Sequence, residues 1–246
     1  MSSVIAIIPA RSGSKSISDK NIKLLSGYPL IAYSIAVAKC SLLIDRVIVS
    51  TDSKKYAEIA KKFGAEVPFI RPHKYSTDIS TDRDFLRHAI HWIKREETNV
   101  PEYLVHLRPT TPLRNPVLVD KAIKTIQADP SSTSLRSGHK STESPMKWFT
   151  KGSNGYFKGL CDSSSDSEIY NQPKEKFESV YIPNGYVDVV KSSFIENSAL
   201  IHGGRMIGFE VPITTEIDSI EEFNYIEYQL KNKNSILLDY LNKYHN

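Results

Sequence analysis

Cysteine is scarce: Cys40 and Cys161 are the only two, with no metal-ligand spacing between them. That argues against a disulfide scaffold and against a zinc site built on cysteine pairs. Long apolar runs are also missing. Val4–Pro9 and Arg46–Ser50 fall far short of the roughly 20 residues a membrane helix needs. The opening MSSVIAIIPA lacks the charged start and cleavage site of a signal peptide, so the expected location is the cytoplasm, with no membrane partner. Charge of one sign is never concentrated. The net charge of +4 is spread out, and basic runs stop at pairs such as Lys54–Lys55 and Lys61–Lys62. Nucleic acid is therefore not an expected partner, whereas a small polyanion suits the balance. Several catalytic signatures are absent: GxxxxGKS/T, the dinucleotide GxGxxG, HExxH and GxSxG. The seven histidines are scattered, and His88 and His91 read as surface or satisfied core residues.

What is present alternates. Ser3–Pro9 is a Val/Ile-rich run ending in Arg11-Ser12-Gly13-Ser14-Lys15, which predicts a buried strand entering a polar loop. Arg46–Ser50, Glu66–Ile70 and Tyr103–Leu107 repeat the pattern, each closing in a polar turn. Helical spacing falls between them, at Leu30–Lys39, Lys54–Phe63, Arg83–Lys94 and Asn115–Gln127. Alternating strands and helices predict an α/β fold with a mostly parallel sheet covered on both faces, whose ligands bind beyond the carboxyl ends of the strands. Ser132–Arg136 reads as a strand, and Gly138 to about Asp166 as irregular. Phe177–Val190 reads as strand material broken by a turn at Pro183-Asn184-Gly185, Met206–Val211 as a strand, and Ser219–Lys243 as one terminal helix. Chain length suits a single domain over residues 1–246 with an excursion at about 140–200.

Three segments carry candidate chemistry. In the first, Arg11, Lys15 and Lys20 follow a buried strand among small residues, with Asn21 next to Lys20. Small side chains let backbone N–H groups approach phosphate oxygens, and the cations offset charge that builds up when a triphosphate is cleaved. A solvated basic turn is the alternative. In the second, Glu216-Ile217-Asp218 alternates two carboxylates, which suits Mg²⁺; helix capping by Asp218 or Ser219 is the competing reading. The third, Arg108-Pro109-Thr110-Thr111-Pro112-Leu113-Arg114, is a proline-stiffened loop with two guanidiniums able to fork onto a carboxylate or phosphate. Asp52 and the stretch Asp78-Ile79-Ser80-Thr81-Asp82 add polar groups to the same rim.

Together, IAIIPARSGSKSISDKN (5–21), VIVSTDS (47–53), LRPTTPLR (107–114), PNG (183–185) and EIDS (216–219) resemble the acylneuraminate cytidylyltransferases, the CMP-sialic acid synthetases and their relatives. The resemblance implies a Rossmann-like fold and a homodimer in which the excursion completes each sugar site. It implies transfer of CMP from CTP to the anomeric hydroxyl of a sialic-acid-like nonulosonic acid, with release of pyrophosphate. Arg11, Ser14, Lys15, Lys20 and Asn21 would hold the nucleotide, Ser80 and Thr81 would line its nucleoside pocket, and Glu216 and Asp218 would hold Mg²⁺. Arg11, Lys20 and Asp218 would then be catalytic.

On the sugar side the resemblance points to Arg108, Lys147, Lys174, Asn184 and Asp188. Arg108 stands where sialate-specific members usually have Gln, Lys174 where Arg is usual, and Asp188 where an aromatic hydroxyl is often found. Pairing of Arg108 with Asp188 is therefore expected, with a legionaminic- or pseudaminic-type acid as acceptor. A Kdo-type transferase and a nucleotide-binding regulatory homologue without turnover are the other readings.

Overall fold

A computed structural model describes residues 3–97, 99–162, 168–232 and 234–245. The strands, in chain order, are β1 (Val4–Pro9), β2 (Leu24–Leu25), β3 (Tyr28–Pro29), β4 (Arg46–Ser50), β5 (Tyr103–His106), β6 (Ser134–Lys140), β7 (Phe149–Lys151), β8 (Phe157–Gly159), β9 (Tyr181–Lys191) and β10 (Met206–Glu210). The α-helices are α1 (Leu30–Cys40), α2 (Lys54–Lys62), α3 (Asp82–Glu96), α4 (Pro116–Gln127), α5 (Ser192–Asn197), α6 (Ile220–Asn232) and α7 (Ile236–His245). One six-stranded sheet runs in the order β10-β6-β9-β5-β1-β4. β1 pairs in parallel with β4 and β5, β10 pairs in parallel with β6, and β9 is antiparallel to both β5 and β6. The mostly parallel, Rossmann-like architecture is the expected one.

Strand β1 shows why these segments read as continuous apolar runs. Val4, Ala6 and Ile8 belong to the core beneath α1, α4, α6 and α7, while Ile5 and Ile7 belong to the core beneath α3 and α5. Burial on both faces removes the need for alternation. Helix starts follow capping chemistry: Ser53 Oγ accepts from Tyr56 N on α2, and Asn115 caps α4 ahead of Pro116. The amphipathic faces of α3 and α6 carry Phe85, Leu86, Ile90, Phe223 and Ile226 inward.

Three expectations need correction. Glu66–Ile70 is not a strand: a single bridge, Ile48 to Glu66, is all the pairing it makes, and Pro68 removes a ladder donor from an edge position. The terminal helix is two, because Ser235 starts a new turn by accepting from Leu238 N at its side chain and Asp239 N at its carbonyl. Pro183-Asn184-Gly185 does not turn the chain back. It lies within β9, where the ladder with β6 slips between Arg136 and Gly138. Ser137 Oγ fills the slip, donating to Asn184 Oδ1 at 2.8 Å and accepting from Val187 N at 3.0 Å. Within the expected excursion at about 140–200, β9 sits inside the central sheet, while the described residues 141–162 and 168–180 and helix α5 lie outside it. The stretch read as irregular from Gly138 carries the end of β6 and the hairpin β7–β8, and its expected end near Asp166 lies outside the described residues. No described helix is long and apolar enough to cross a membrane.

Candidate active site

The carboxyl ends of β1 and β5 open into a cavity of about 450 Å³. Arg11, Ser14, Lys15, Lys20, Asn21, Ser80, Thr81, Arg108 and Asp218 all line it, although they come from five separate stretches of sequence.

Local hydrogen bonds shape the first loop. Asp52 accepts from Ser12 N at 2.8 Å and Ser12 Oγ at 2.9 Å, tying the loop to the end of β4. Asn21 Nδ2 donates to Arg11 O at 3.0 Å, so Asn21 organises the loop backbone. Asp19, at φ 51°, sits in the left-handed region and is held there by Tyr56 Oη (2.8 Å) and Lys55 Nζ (3.1 Å). Those two donors keep its carboxyl below its ordinary range. Lys20 is buried, donates to Ile217 O at 2.7 Å and lies 3.3 Å from Asp218 Oδ1. At the mouth, one carboxylate, Asp78, pairs with both Arg11 (2.7 Å) and Lys15 (2.5 Å).

Ser80 Oγ accepts from Thr77 N at 3.0 Å, and Thr81 N donates to Asp84 at 2.7 Å as the cap of α3. Both serve the loop before α3 while facing the cavity.

The neighbours of the acidic segment hold its backbone and supply the cap of α6. Ile217 is fully buried and its N–H bonds Thr110 O at 2.8 Å, which fixes the carboxylates on either side. Capping of α6 is done by Ser219 and Glu222: Glu222 N donates to Ser219 Oγ, and the Glu222 carboxylate accepts from Asp218 N and Ser219 N. Asp218 thus keeps its own carboxylate, three-quarters exposed, on the cavity rim. Glu216 Oε1 accepts from Gly185 N. Gly185 is needed there, since a Cβ would stand 2.8 Å from Thr111 Oγ1 and 3.3 Å from Glu216 Cδ.

Mg²⁺ takes hard oxygen ligands and commonly one or two carboxylates completed by water and phosphate oxygens. Asp218, on the cavity rim, fits that chemistry, whereas Glu216 is not among the residues lining the cavity and one of its oxygens is taken by Gly185 N. Among the described residues no group of three His, Cys, Asp or Glu gathers closely enough to hold a metal, so the substrate's phosphates would have to complete the shell.

The sugar-side residues divide. Arg108 lines the cavity and donates to Asp188 Oδ2 at 3.1 Å and to Asp82 Oδ2 at 2.6 Å, so the expected pair is present. Asp188 is fully buried and reaches the cavity only through Arg108, which corrects its reading as a sugar contact. Asn184 is likewise buried, bonded to Ser137 and facing His139 at 3.2 Å, and its role here is to hold β9 to β6. Lys147 and Lys174 lie in the excursion, away from this cavity; Lys174 Nζ donates to Thr142 O.

Arg114, expected to fork onto a carboxylate or phosphate, is not among the residues lining the cavity. It is buried and donates to Tyr186 O, Ser34 Oγ, Arg108 O and Gly185 O, and burial pushes its guanidinium down to about 9. It locks the 108–114 loop onto β9.

Two cavity residues escape a reading by motif. Arg71 follows the bridge at Glu66 and is buried, with Nε and an Nη lacking hydrogen bonds and its guanidinium 5.6 Å over the Phe85 ring. Burial pushes it down to about 10. Asp82, at the start of α3, holds Arg108. The only sequence signal for either was its position in a polar turn.

The sequence is similar to known proteins in a way that matches this geometry. The model of the family described as "Cytidylyltransferase" matches residues 5–202. An N-acylneuraminate cytidylyltransferase from Escherichia coli is 39% identical over 124 residues, covering 50% of this chain and 28% of that protein. A CMP-N,N'-diacetyllegionaminic acid synthase from Legionella pneumophila is 38% identical over 124 residues, covering 49% of this chain and 52% of that one. The chain therefore spans from about a quarter to about half the length of these curated relatives in the matched regions. Among solved structures, a CMP:2-keto-3-deoxy-manno-octonic acid synthetase complexed with CTP superposes with a TM-score of 0.69 at 16% identity, over 94% of this chain and 99% of that one, which shows a shared fold. With four-fifths of the chain matched and the matched stretch supplying most of the cavity, this protein belongs to the cytidylyltransferase family.

Proposed function

We propose that the chain transfers CMP from CTP to the anomeric hydroxyl of an acidic, sialic-acid-like sugar and releases pyrophosphate. The observation that carries this reading is the gathering of Arg11, Lys15, Lys20 and Asp218 around one cavity in a chain of this family. The anomeric oxygen attacks the α-phosphorus, a P–O bond forms, and the bond to pyrophosphate breaks. Such a transfer needs positioning and charge neutralisation more than covalent help. Arg11 and Lys15 exchange Asp78 for phosphate oxygens, and Lys20, fixed by Ile217 O, faces the reacting phosphate. Ser14, Asn21, Ser80 and Thr81 shape the nucleotide's berth. Asp218, with Glu216 behind it, would hold Mg²⁺, which when bound neutralises phosphate charge and polarises the reacting phosphorus.

The acceptor side lies by Arg108. The relatives' names span sialic and legionaminic acids, and a guanidinium at the wall suits the carboxylate both carry. The reading includes a homodimer in the cytoplasm. Trp148, Phe149, Tyr156 and Phe157 are exposed around β7 and β8, and Lys147 and Lys174 stand in the same excursion, where a second copy would bring them to a sugar.

The test is pyrophosphate release from CTP and Mg²⁺ with N-acetylneuraminic, legionaminic, pseudaminic and Kdo acids. Turnover with at least one acid is expected. CTP binding with no turnover on any of them would instead favour a nucleotide-binding homologue.

A further inference from the structure

Lys20 enters the cavity through a turn that most side chains resist. Ser18 and Asp19 are exposed whereas Lys20 and Asn21 are buried, so the chain swings inward within one residue. The swing is made at Asp19, whose φ of 51° and ψ of 32° lie in the left-handed region. A Cβ makes that region costly, and after Gly it is Asp and Asn that tolerate it best. Lys20 N donates to Ile17 O at 3.2 Å, and Asp19 O accepts from Ile22 N at 2.9 Å and Lys23 N at 3.0 Å, which closes the turn on both sides.

The Asp19 carboxylate ties this turn to the start of α2. Tyr56 Oη donates to Asp19 Oδ1 at 2.8 Å, and Lys55 Nζ donates to Asp19 Oδ2 at 3.1 Å. The two donors are unequal. Lys55 is 65% exposed, and its ion pair with the half-exposed Asp19 contributes little. Tyr56 is buried in the core that also holds α1, and burial together with the bond to Asp19 pushes its phenol well above the ordinary range, so it stays a protonated donor. A buried hydroxyl needs an acceptor. That need does not explain why the acceptor stands in the left-handed region, one residue before Lys20. Neither Asp19 nor Tyr56 lines the cavity, so any effect they have on the reaction passes through a neighbour.

We propose that Asp19 and Tyr56 are positioning residues for Lys20: the buried hydroxyl holds Asp19 in its left-handed conformation, and that conformation keeps the Lys20 ammonium at Ile217 O, facing the cavity. The assignment rests on the transferase reading for the step that Lys20 serves, but the placing of Lys20 is measurable without turnover. Position matters at this scale, since a misplacement of about 1 Å costs on the order of 10²-fold in rate.

Two measurements on the full chain test it. The first is trace acetylation by acetic anhydride, read lysine by lysine by mass spectrometry well below the melting temperature of each variant. Lys20 is expected to react about fivefold faster in Asp19→Ala and in Tyr56→Phe than in the unsubstituted chain, with the exposed Lys62 and Lys121 unchanged. The second is steady-state pyrophosphate release with CTP and acceptor varied separately. In Asp19→Ala kcat is expected to fall by about tenfold, with both KM values within about twofold. Asp19→Asn tolerates the left-handed region and still offers Tyr56 an oxygen, so it is expected to recover most of that loss; Lys55→Ala is expected to change little. A merely structural role would lower the melting temperature without singling out Lys20. Unchanged Lys20 reactivity in both Asp19→Ala and Tyr56→Phe overturns the proposal, whatever turnover does. Raised reactivity with unchanged kcat overturns it too, because transfer then needs no such placing, and leaves the transferase reading standing. If the unsubstituted chain releases no pyrophosphate with any acidic sugar, the transferase reading fails, and the acetylation alone still decides whether the pair places Lys20.

Discussion

The two ends of the site are built on opposite principles. At the mouth of the cavity three charged groups are exposed and lightly held, with Lys20 and Arg71 buried behind them: Lys15 is 79% exposed, and Asp78, which pairs with it and with Arg11, is 46% exposed. At the acceptor end Asp188 and His106 are fully buried, and Arg108 is fixed between two carboxylates. Exposed ion pairs are worth roughly 0–1 kcal/mol each and exchange partners readily, which suits a berth that must receive and release phosphates. A buried row cannot relax, so it holds a guanidinium in one place and makes shape and donor position matter. On the proposed reading, turnover chemistry falls on the rim and selectivity in the sheet.

The largest effect is expected on the rim. Asp218→Ala should lower kcat by on the order of 10²–10³ while leaving the thermal midpoint almost unmoved, because its side chain is three-quarters exposed. Activity and melting measured on the same preparation check this, and retained activity would remove Asp218 from the metal-binding role.

In the buried row the order reverses. Asp188→Ala leaves Arg108 and Arg136 without their shared counter-charge and should cost about 3–5 kcal/mol in a urea titration. A cycle with Arg108→Gln should show coupling of about 1–3 kcal/mol, and additive losses would mean that the pair contributes nothing beyond its separate members.

A more gradual effect follows from acid. Burial, with Arg108 nearby, pushes His106 from its ordinary 6.5 down to about 3, and burial with Arg136 and Arg108 pushes His202 down to about 4. The unfolded chain takes up protons below about 6.5 that the folded chain refuses, so stability present above that pH is lost as pH falls toward 3–4. His106 contributes up to about 1.4 kcal/mol per pH unit across that window, and His106→Asn should flatten the acid limb of stability against pH.

The smallest is at the mouth. Asp78→Ala frees Arg11 and Lys15, and the KM for CTP should fall by about threefold with kcat little changed. An unchanged or raised KM would mean that Asp78 orders the loop rather than competing with phosphate.

Much of the rim was legible in the chain itself. A buried strand must end, its loop faces the carboxyl edge of the sheet, and small residues with cations there carry a phosphate signature; Arg11, Ser14, Lys15, Lys20 and Asn21 were found that way and share one cavity. Glu216-Ile217-Asp218 left capping and metal binding open; the structure gives the cap to Ser219 with Glu222, the capping alternative, and leaves the Asp218 carboxylate outside it. Arg71 and Asp82 were hidden because a single Arg or Asp in a polar turn has no spacing to mark it. The PNG stretch misled because Pro and Gly signal a turn locally, whereas Ser137 and the slipped ladder keep it in the sheet.

The sequence alone determined the alternation of elements, the mostly parallel sheet and the phosphate-facing loop, because periodicity, capping and apolar runs are local properties of neighbouring residues. The pairing of Arg108 with Asp188 was expected from two departures in the sequence, but the row that adds His106 and Arg136 was decided by tertiary structure. So was the inward turn of Arg114. Each of these depends on the register between strands far apart in the chain, and register fixes which side chains share a face.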